Sequence, residues 1–201
     1  MPDDKVLVYL PANFSPVAIL QMRNHIEFEQ IIEDWQRDSL EKKYVKVDRM
    51  GGPGDKSRDI ICIDRDNQLW IYQCKHYKDK LTKEQTFPEI AKCCYFCFKG
   101  EYKIQGVAKI PKRYFFMSPK GLTTSMKDLF DDPKQLKSEL KHDWNRLCKK
   151  RISDTTEIIL EGDFELFIDR LDFSMFYFIT PEDFIDDFKK SEKFDVVRDI
   201  C

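Results

Sequence analysis

Asp59, Gln73 and Lys75 are the residues whose types and spacing point most directly to chemistry. Thirteen residues separate Asp59 from Gln73. Two runs, Asp59 to Ile63 and Gln68 to Lys75, flank the turn Asp64-Arg65-Asp66-Asn67, which is the pattern of a β-hairpin. A hairpin brings its two ends together, so Asp59 is expected beside Gln73 and Lys75. Side chains alternate along a strand, which places Gln73 and Lys75 on one face and Cys74 and His76 on the other. A carboxylate, an amide and an ammonium then meet at the end of a sheet. Phosphodiester hydrolysis uses such a set: oxygen ligands for a hard divalent cation, which polarises the phosphoryl oxygen and acidifies water, and a cation near the nucleophile. Lys75 would orient the water or help to deprotonate it. Glu29 could add a carboxylate directly or through water, and Asp55 is a further candidate.

The elements that must position these groups are legible as periodicities. Apolar residues at Ile26, Phe28, Ile31, Ile32 and Trp35 predict an amphipathic helix over Met22 to Leu40. Tyr44 to Val47 alternates as a short strand, and Gly51-Gly52-Pro53-Gly54 breaks the chain into a loop. Residues 83 to 98 return to helix, and Tyr114-Phe115-Phe116-Met117 reads as a buried strand. Asp132 and Pro133 start a long basic helix running to Arg151, and Thr180-Pro181-Glu182-Asp183 starts another. Trp70, Tyr72 and Cys74 are expected to pack beneath a helix on the face away from Lys75. The Phe-rich stretch from Phe164 to Phe188 reads as the last core helix.

Length and composition fit one globular domain over 1–201, with 42% hydrophobic residues, 16 Phe and 35% charged residues. No apolar run reaches the roughly 18 residues of a membrane span, and Val6 to Leu10 is too short for a signal peptide, so a cytoplasmic protein is expected. Seven cysteines without a secretory signal read as reduced thiols, and Cys93, Cys94 and Cys97 fit core packing better than a zinc site. The formal charge of −2 hides blocks of opposite sign: residues 75 to 151 hold 19 Lys/Arg against 9 Asp/Glu, and residues 152 to 201 hold 5 against 14. A basic middle segment suits phosphate contacts, and it equally suits solvated helix faces. Arg58, Lys78, Lys80 and Lys83 flank the cluster as candidate nucleic-acid-binding residues.

Phe28-Glu29, the run Gly51 to Asp59 and Gln73-Cys74-Lys75 together resemble the PD-(D/E)xK nuclease superfamily. The closer likeness is to the branch of Mrr-type restriction endonucleases and bacterial antiphage effector nucleases, where Gln commonly replaces the second acidic residue. These motifs cover about residues 26 to 77. The resemblance implies an α/β fold with a restriction-endonuclease-like αβββαβ core over about 22–118, its mixed sheet flanked by helices. A mostly helical C-terminal extension would occupy about 119–201. It further implies a Mg²⁺-dependent endonuclease, with Mn²⁺ able to substitute, that cuts DNA, expected to be double-stranded, in restriction or antiphage defence. By position, Asp59 matches the metal-binding Asp, Gln73 the acid replaced by Gln, Lys75 the catalytic Lys, Glu29 the first-helix Glu and Asp55 the loop Asp. Asp59, Gln73 and Glu29 would then hold the metal. A homo-oligomer and a regulatory or sensor partner are the implied associations. Ser57 departs from the pattern, because that branch usually has Gly there, and Gln73 is a neutral ligand. Two other readings fit the same residues: a catalytically inactive nuclease-fold module that binds nucleic acid or a partner protein, and an RNA-directed nuclease.

Overall fold

The computed structural model describes residues 15–38, 43–50 and 55–190. The Gly51-Gly52-Pro53-Gly54 loop, the run Val6 to Leu10 and the end of the expected first helix at 39–40 lie outside these residues. Ser15 caps a short helix, α1 (Pro16–Met22), by accepting the Ala18 N–H, and Pro16 starts it. A second helix, α2 (His25–Asp38), follows a break at Asn24. Asn24 Oδ1 accepts the Glu27 N–H while Glu27 accepts the Asn24 N–H, a reciprocal cap that fixes the helix start three residues later than the periodicity suggests. Phe28, Ile31 and Ile32 of α2 face the core, whereas Ile26 lies exposed.

The chain then builds β1 (Tyr44–Arg49), β2 (Ile60–Asp64) and β3 (Leu69–Cys74), paired antiparallel in sequence order. The turn between β2 and β3 is fixed by Asp64, whose Oδ1 accepts the Asp66 and Gln68 N–H groups, and Asn67 takes the left-handed backbone such turns need. Helix α3 (Lys83–Phe98) matches the expected span and is capped by Thr82 with Gln85. Pro88 inside α3 cannot donate to the Glu84 carbonyl, and Arg151 takes up that freed oxygen through Nη1 at 2.8 Å. A two-strand hairpin, β4 (Lys103–Ile104) with β5 (Val107–Ala108), precedes β6 (Arg113–Met117), which runs parallel to β3.

Beyond β6 come α4 (Thr124–Asp131), α5 (Pro133–His142), α6 (Gly162–Arg170), β7 (Phe176–Ile179) and α7 (Pro181–Phe188). The long basic helix stops at His142 instead of Arg151. A wide π-helical turn at Trp144–Cys148 follows it and carries Trp144, Leu147 and Cys148 into the core, where the indole N–H donates to the Ile158 carbonyl. The extension is mostly helical over its described residues, as expected, but it also supplies a strand: β7 pairs parallel with β6 and completes a mixed five-strand sheet in the order β1-β2-β3-β6-β7.

Helices cover both faces of this sheet. On one face α3, α4, α5 and α6 pack against Ile71, Tyr114, Phe116 and Phe176. On the other α1, α2 and α7 pack against Val47, Ile60, Cys62, Tyr72 and Cys74. The strict alternation of β3 therefore sends Tyr72 and Cys74, with half-buried Trp70, beneath α2 and α7, as the spacing predicts. Cys93, Cys94 and Cys97 are free thiols packed into the α3 side of the core. Among the described residues no helix is long and apolar enough to cross a membrane.

Candidate active site

The β2–β3 register pairs Ile60 with Tyr72 and Ile61 with Ile71, so one step further along the ladder Asp59 stands opposite Gln73. The side chains meet there: Gln73 Nε2 lies 2.8 Å from Asp59 Oδ2, and the Cys74 N–H donates to the same oxygen at 2.6 Å. Both residues are buried. Lys75 follows β3 directly, held by its own N–H donating to the Met117 carbonyl of β6 at 2.8 Å. Alternation turns it to the α3 side with Gln73, and its Nζ sits 3.1 Å from Glu89 Oε1.

Glu89 is the residue that the motif reading misses. It projects from α3 into the cluster, only 8% exposed, and binds Lys75, Lys92 at 3.2 Å and the Ser57 hydroxyl. Its signal was present: a lone carboxylate in the apolar run Phe87-Pro88-Glu89-Ile90-Ala91, where a buried charge requires partners. Ser57 has φ of 62° and Lys56 of 58°, a left-handed pair that accounts for a glycine preference at such a position. Ser57 takes that backbone, and its hydroxyl contacts Glu89, Gln73 and Tyr114.

Charge in the cluster is unbalanced around Asp59. Burial pushes its carboxyl up to about 7; Lys75 and the Cys74 N–H oppose this, while Glu29 and Asp55 add to it. Half-buried Glu29, on α2, is raised by burial and by Asp55, against the pull of His25, Arg49 and Lys75. Burial would lower Lys75, but Glu89 and Asp59 more than reverse it and hold the ammonium charged. Glu89 shows the complementary result: burial opposes its charge, and Lys75, Lys92 and Ser57 overcome that and keep it ionised.

The sign of the Asp59 shift yields a prediction for stability in EDTA. A folded-state carboxyl that holds its proton up to about 7, against an ordinary 3.8, makes folding progressively less favourable as pH rises through that window. The penalty is complete above it. Asp59→Asn keeps the hydrogen-bonding shape without the charge. It should therefore be more stable than wild type at pH 8 by a few kcal/mol, at about 1.4 kcal/mol per pKa unit. The advantage should vanish near pH 4, as read from urea midpoints at the two pH values; an equal difference at both would contradict it.

The flanking cations divide. Lys78 and Lys80 are exposed on the segment after β3. Arg58 donates from Nε to the Asp55 carbonyl at 2.8 Å and lies over the Tyr102 ring at 5.0 Å. Lys83, the first residue of α3, is paired with Glu139 at 2.6 Å and Asp143 at 3.3 Å. The basic middle segment is in part neutralised in the same way, since Lys141 meets Glu165 and Asp169 and Lys149 meets Glu157 from the acidic segment. Its surplus charge is thus not all available to a phosphate backbone.

Asp59 and Glu29 offer two carboxylates whose proton affinities are raised; Gln73 turns its nitrogen to Asp59 and its oxygen to Tyr114, and would add a neutral oxygen ligand by turning its amide over. Among the described residues no group of three or more His, Cys, Asp or Glu is gathered as a ready metal site. Two carboxylates and an amide fit a hard ion such as Mg²⁺, which keeps several waters and is held by one or two carboxylates, better than they fit zinc. Compared with family models, curated proteins and solved structures, the chain matches none of them.

Proposed function

We propose that the chain is a metal-dependent endonuclease that hydrolyses phosphodiester bonds of DNA, double-stranded by preference, as an effector of bacterial restriction or antiphage defence. The observation that carries this reading is the convergence of Asp59, Gln73 and Lys75 at one end of the β2–β3 hairpin, with Asp59 held at a pKa of about 7. The succession α2, β1, β2, β3, α3, β6 supports a restriction-endonuclease-like core.

In this reading Asp59, Glu29 and Gln73 hold Mg²⁺, or Mn²⁺ in its place. The ion supplies Lewis acidity toward the phosphoryl oxygen and lowers the pKa of a bound water. Lys75, kept charged by Glu89, holds the attacking water by hydrogen bonding and offsets negative charge as it grows on the phosphoryl oxygens. Glu89 acts through Lys75 as a positioning residue. Lys78 and Lys80 are free to meet phosphates, whereas Arg58 and Lys83 would have to leave existing partners first.

A second reading, a nuclease-fold module that binds nucleic acid or a partner protein without cutting, draws support from the neutral Gln73 and the absence of a gathered three-acid group among the described residues. Plasmid, linear duplex, single-stranded DNA and RNA incubated with the protein in Mg²⁺, Mn²⁺ or EDTA separate the two. Duplex cleavage that EDTA abolishes supports the hydrolase, and preferential loss of RNA moves the substrate to RNA. No cleavage under any condition, together with no uptake of Mn²⁺, favours the binding module.

A further inference from the structure

Two short strands and a tight turn form a hairpin that the proposed chemistry does not use. β4 and β5 pair Lys103 with Ala108 and Ile104 with Val107, and Gln105 and Gly106 turn between them with φ of 50° and 80°. Positive φ at both central residues gives the turn whose twist matches a hairpin. So short a ribbon has little stability of its own. Here Tyr102 and Ile104 set its base into the α3 side of the core, and the Lys109 N–H donates to the Tyr102 carbonyl at 2.7 Å. Alternation then turns Lys103 and Gln105 outward, and Val107 at the tip is 60% exposed.

The ribbon is fixed to the loop that presents Asp59. The Tyr102 hydroxyl donates to the Lys56 carbonyl at 2.7 Å, Lys56 pairs with Glu101 at 2.6 Å, and Arg58 lies over the Tyr102 ring. Charge on the ribbon is one-sided: residues 99 to 113 hold five Lys/Arg and a single acid, Glu101, which Lys56 already takes. Unlike Lys83, Lys141 and Lys149, the cations Lys99, Lys103 and Lys109 form no ion pair among the described residues. The tip between them is neutral, an amide, a glycine and a valine. Cations on the flanks and neutral groups at the end match a nucleic-acid groove, where phosphates line the rims and base edges form the floor. The major groove of duplex DNA, about 12 Å wide, admits a two-stranded ribbon.

We propose that the β4–β5 hairpin is a docking arm for duplex DNA: its tip enters the major groove at Gln105 while Lys99, Lys103 and Lys109 meet phosphates on the rims. The choice of DNA as ligand rests on the hydrolase reading above. Anchored to the loop that ends in Asp59, the arm sets where along the duplex the site falls.

Binding is read without cutting, from the fluorescence anisotropy of a labelled duplex of about 20 base pairs, two helical turns, in EDTA over a range of salt. Each phosphate contact contributes about 0.9 to the slope of log affinity against log salt, so Lys99→Gln combined with Lys103→Gln should lower that slope by about two. Lys134→Gln with Lys150→Gln removes the same charge from α5 and from the turn beyond Cys148, and should leave the slope unchanged. Gln105→Glu puts a carboxylate between the phosphate rims and should weaken binding about tenfold, against less than about twofold for Gln135→Glu on α5. Equal falls in slope for the two lysine pairs, or equal losses for the two glutamates, would make the effect one of overall charge and overturn the proposal. A wild type that binds no duplex would overturn it too. The arm and the hydrolase fail separately. Hairpin variants that lose affinity as stated, while the wild type cuts nothing in Mg²⁺ or Mn²⁺, uphold the arm and remove the hydrolase. Plasmid cut by the wild type, with one salt slope shared by wild type and hairpin variants, keeps the hydrolase and overturns the arm.

Discussion

Replacing Lys75 with alanine is expected to lower Mg²⁺-dependent plasmid cleavage on the order of a thousandfold, the upper range for removing one preorganised stabiliser of developing charge. The ammonium acts on Asp59 through its charge, is bound by Glu89 and has its backbone tied to β6. Asp59→Ala should fall at least as far, because it removes the carboxylate around which the other groups are arranged. Lys75→Arg is not expected to rescue, since a planar fork cannot take the place of a compact ammonium between Glu89 and Asp59. Circular dichroism of each variant checks that the fold is retained. Variants that keep their secondary structure and cut as fast as wild type would remove the site assignment.

Glu89→Ala carries the largest expected cost to stability, about 3–5 kcal/mol, the range for breaking a buried ion pair from one side. The substitution leaves Lys75 half-buried without its partner, strips Lys92 of its contact and leaves the Ser57 hydroxyl with only Gln73 and Tyr114 beside it. Glu89→Gln should cost less, because an amide oxygen still accepts from Ser57 and Lys75. Urea midpoints measure both. The same carboxylate sets the acid limb: its pKa is lowered in the fold, so its contribution is present above its ordinary value of 4.5 and is lost as pH falls toward the folded one. The acid transition of Glu89→Ala should accordingly be shallower than that of wild type. A loss below about 1 kcal/mol would show that solvent compensates the freed charges.

Which parts of this arrangement can be read from sequence follows from how local their causes are. The hairpin is local: Asp64 builds its own turn, alternation sorts Gln73 and Lys75 from Tyr72 and Cys74, and the register follows from both. Helix α3 is legible for the same reason, with Thr82 and Gln85 marking its start. Strand β7 is not, because Phe176 to Ile179 is a short apolar run whose identity depends on a parallel neighbour 62 residues earlier in the chain. The break after α5 is likewise imposed from outside, by the core that receives Trp144. At the site, Asp59, Gln73 and Lys75 share one hairpin and were found together. Glu89 reaches them from another element, and its role exists only once α3 is laid on the sheet. Lys83 shows the converse: near Lys75 in sequence, it points instead to Glu139 and Asp143.

Asp59, Gln73 and Glu29 are proposed to surround one divalent cation beside Lys75. Anomalous diffraction from crystals soaked in Mn²⁺ tests it without reference to any substrate. A manganese peak is expected between the Asp59 carboxylate and the Gln73 side chain, within reach of Glu29 directly or through water, and absent in crystals of Asp59→Ala. Manganese bound elsewhere while this position stays empty at saturating concentration would contradict it.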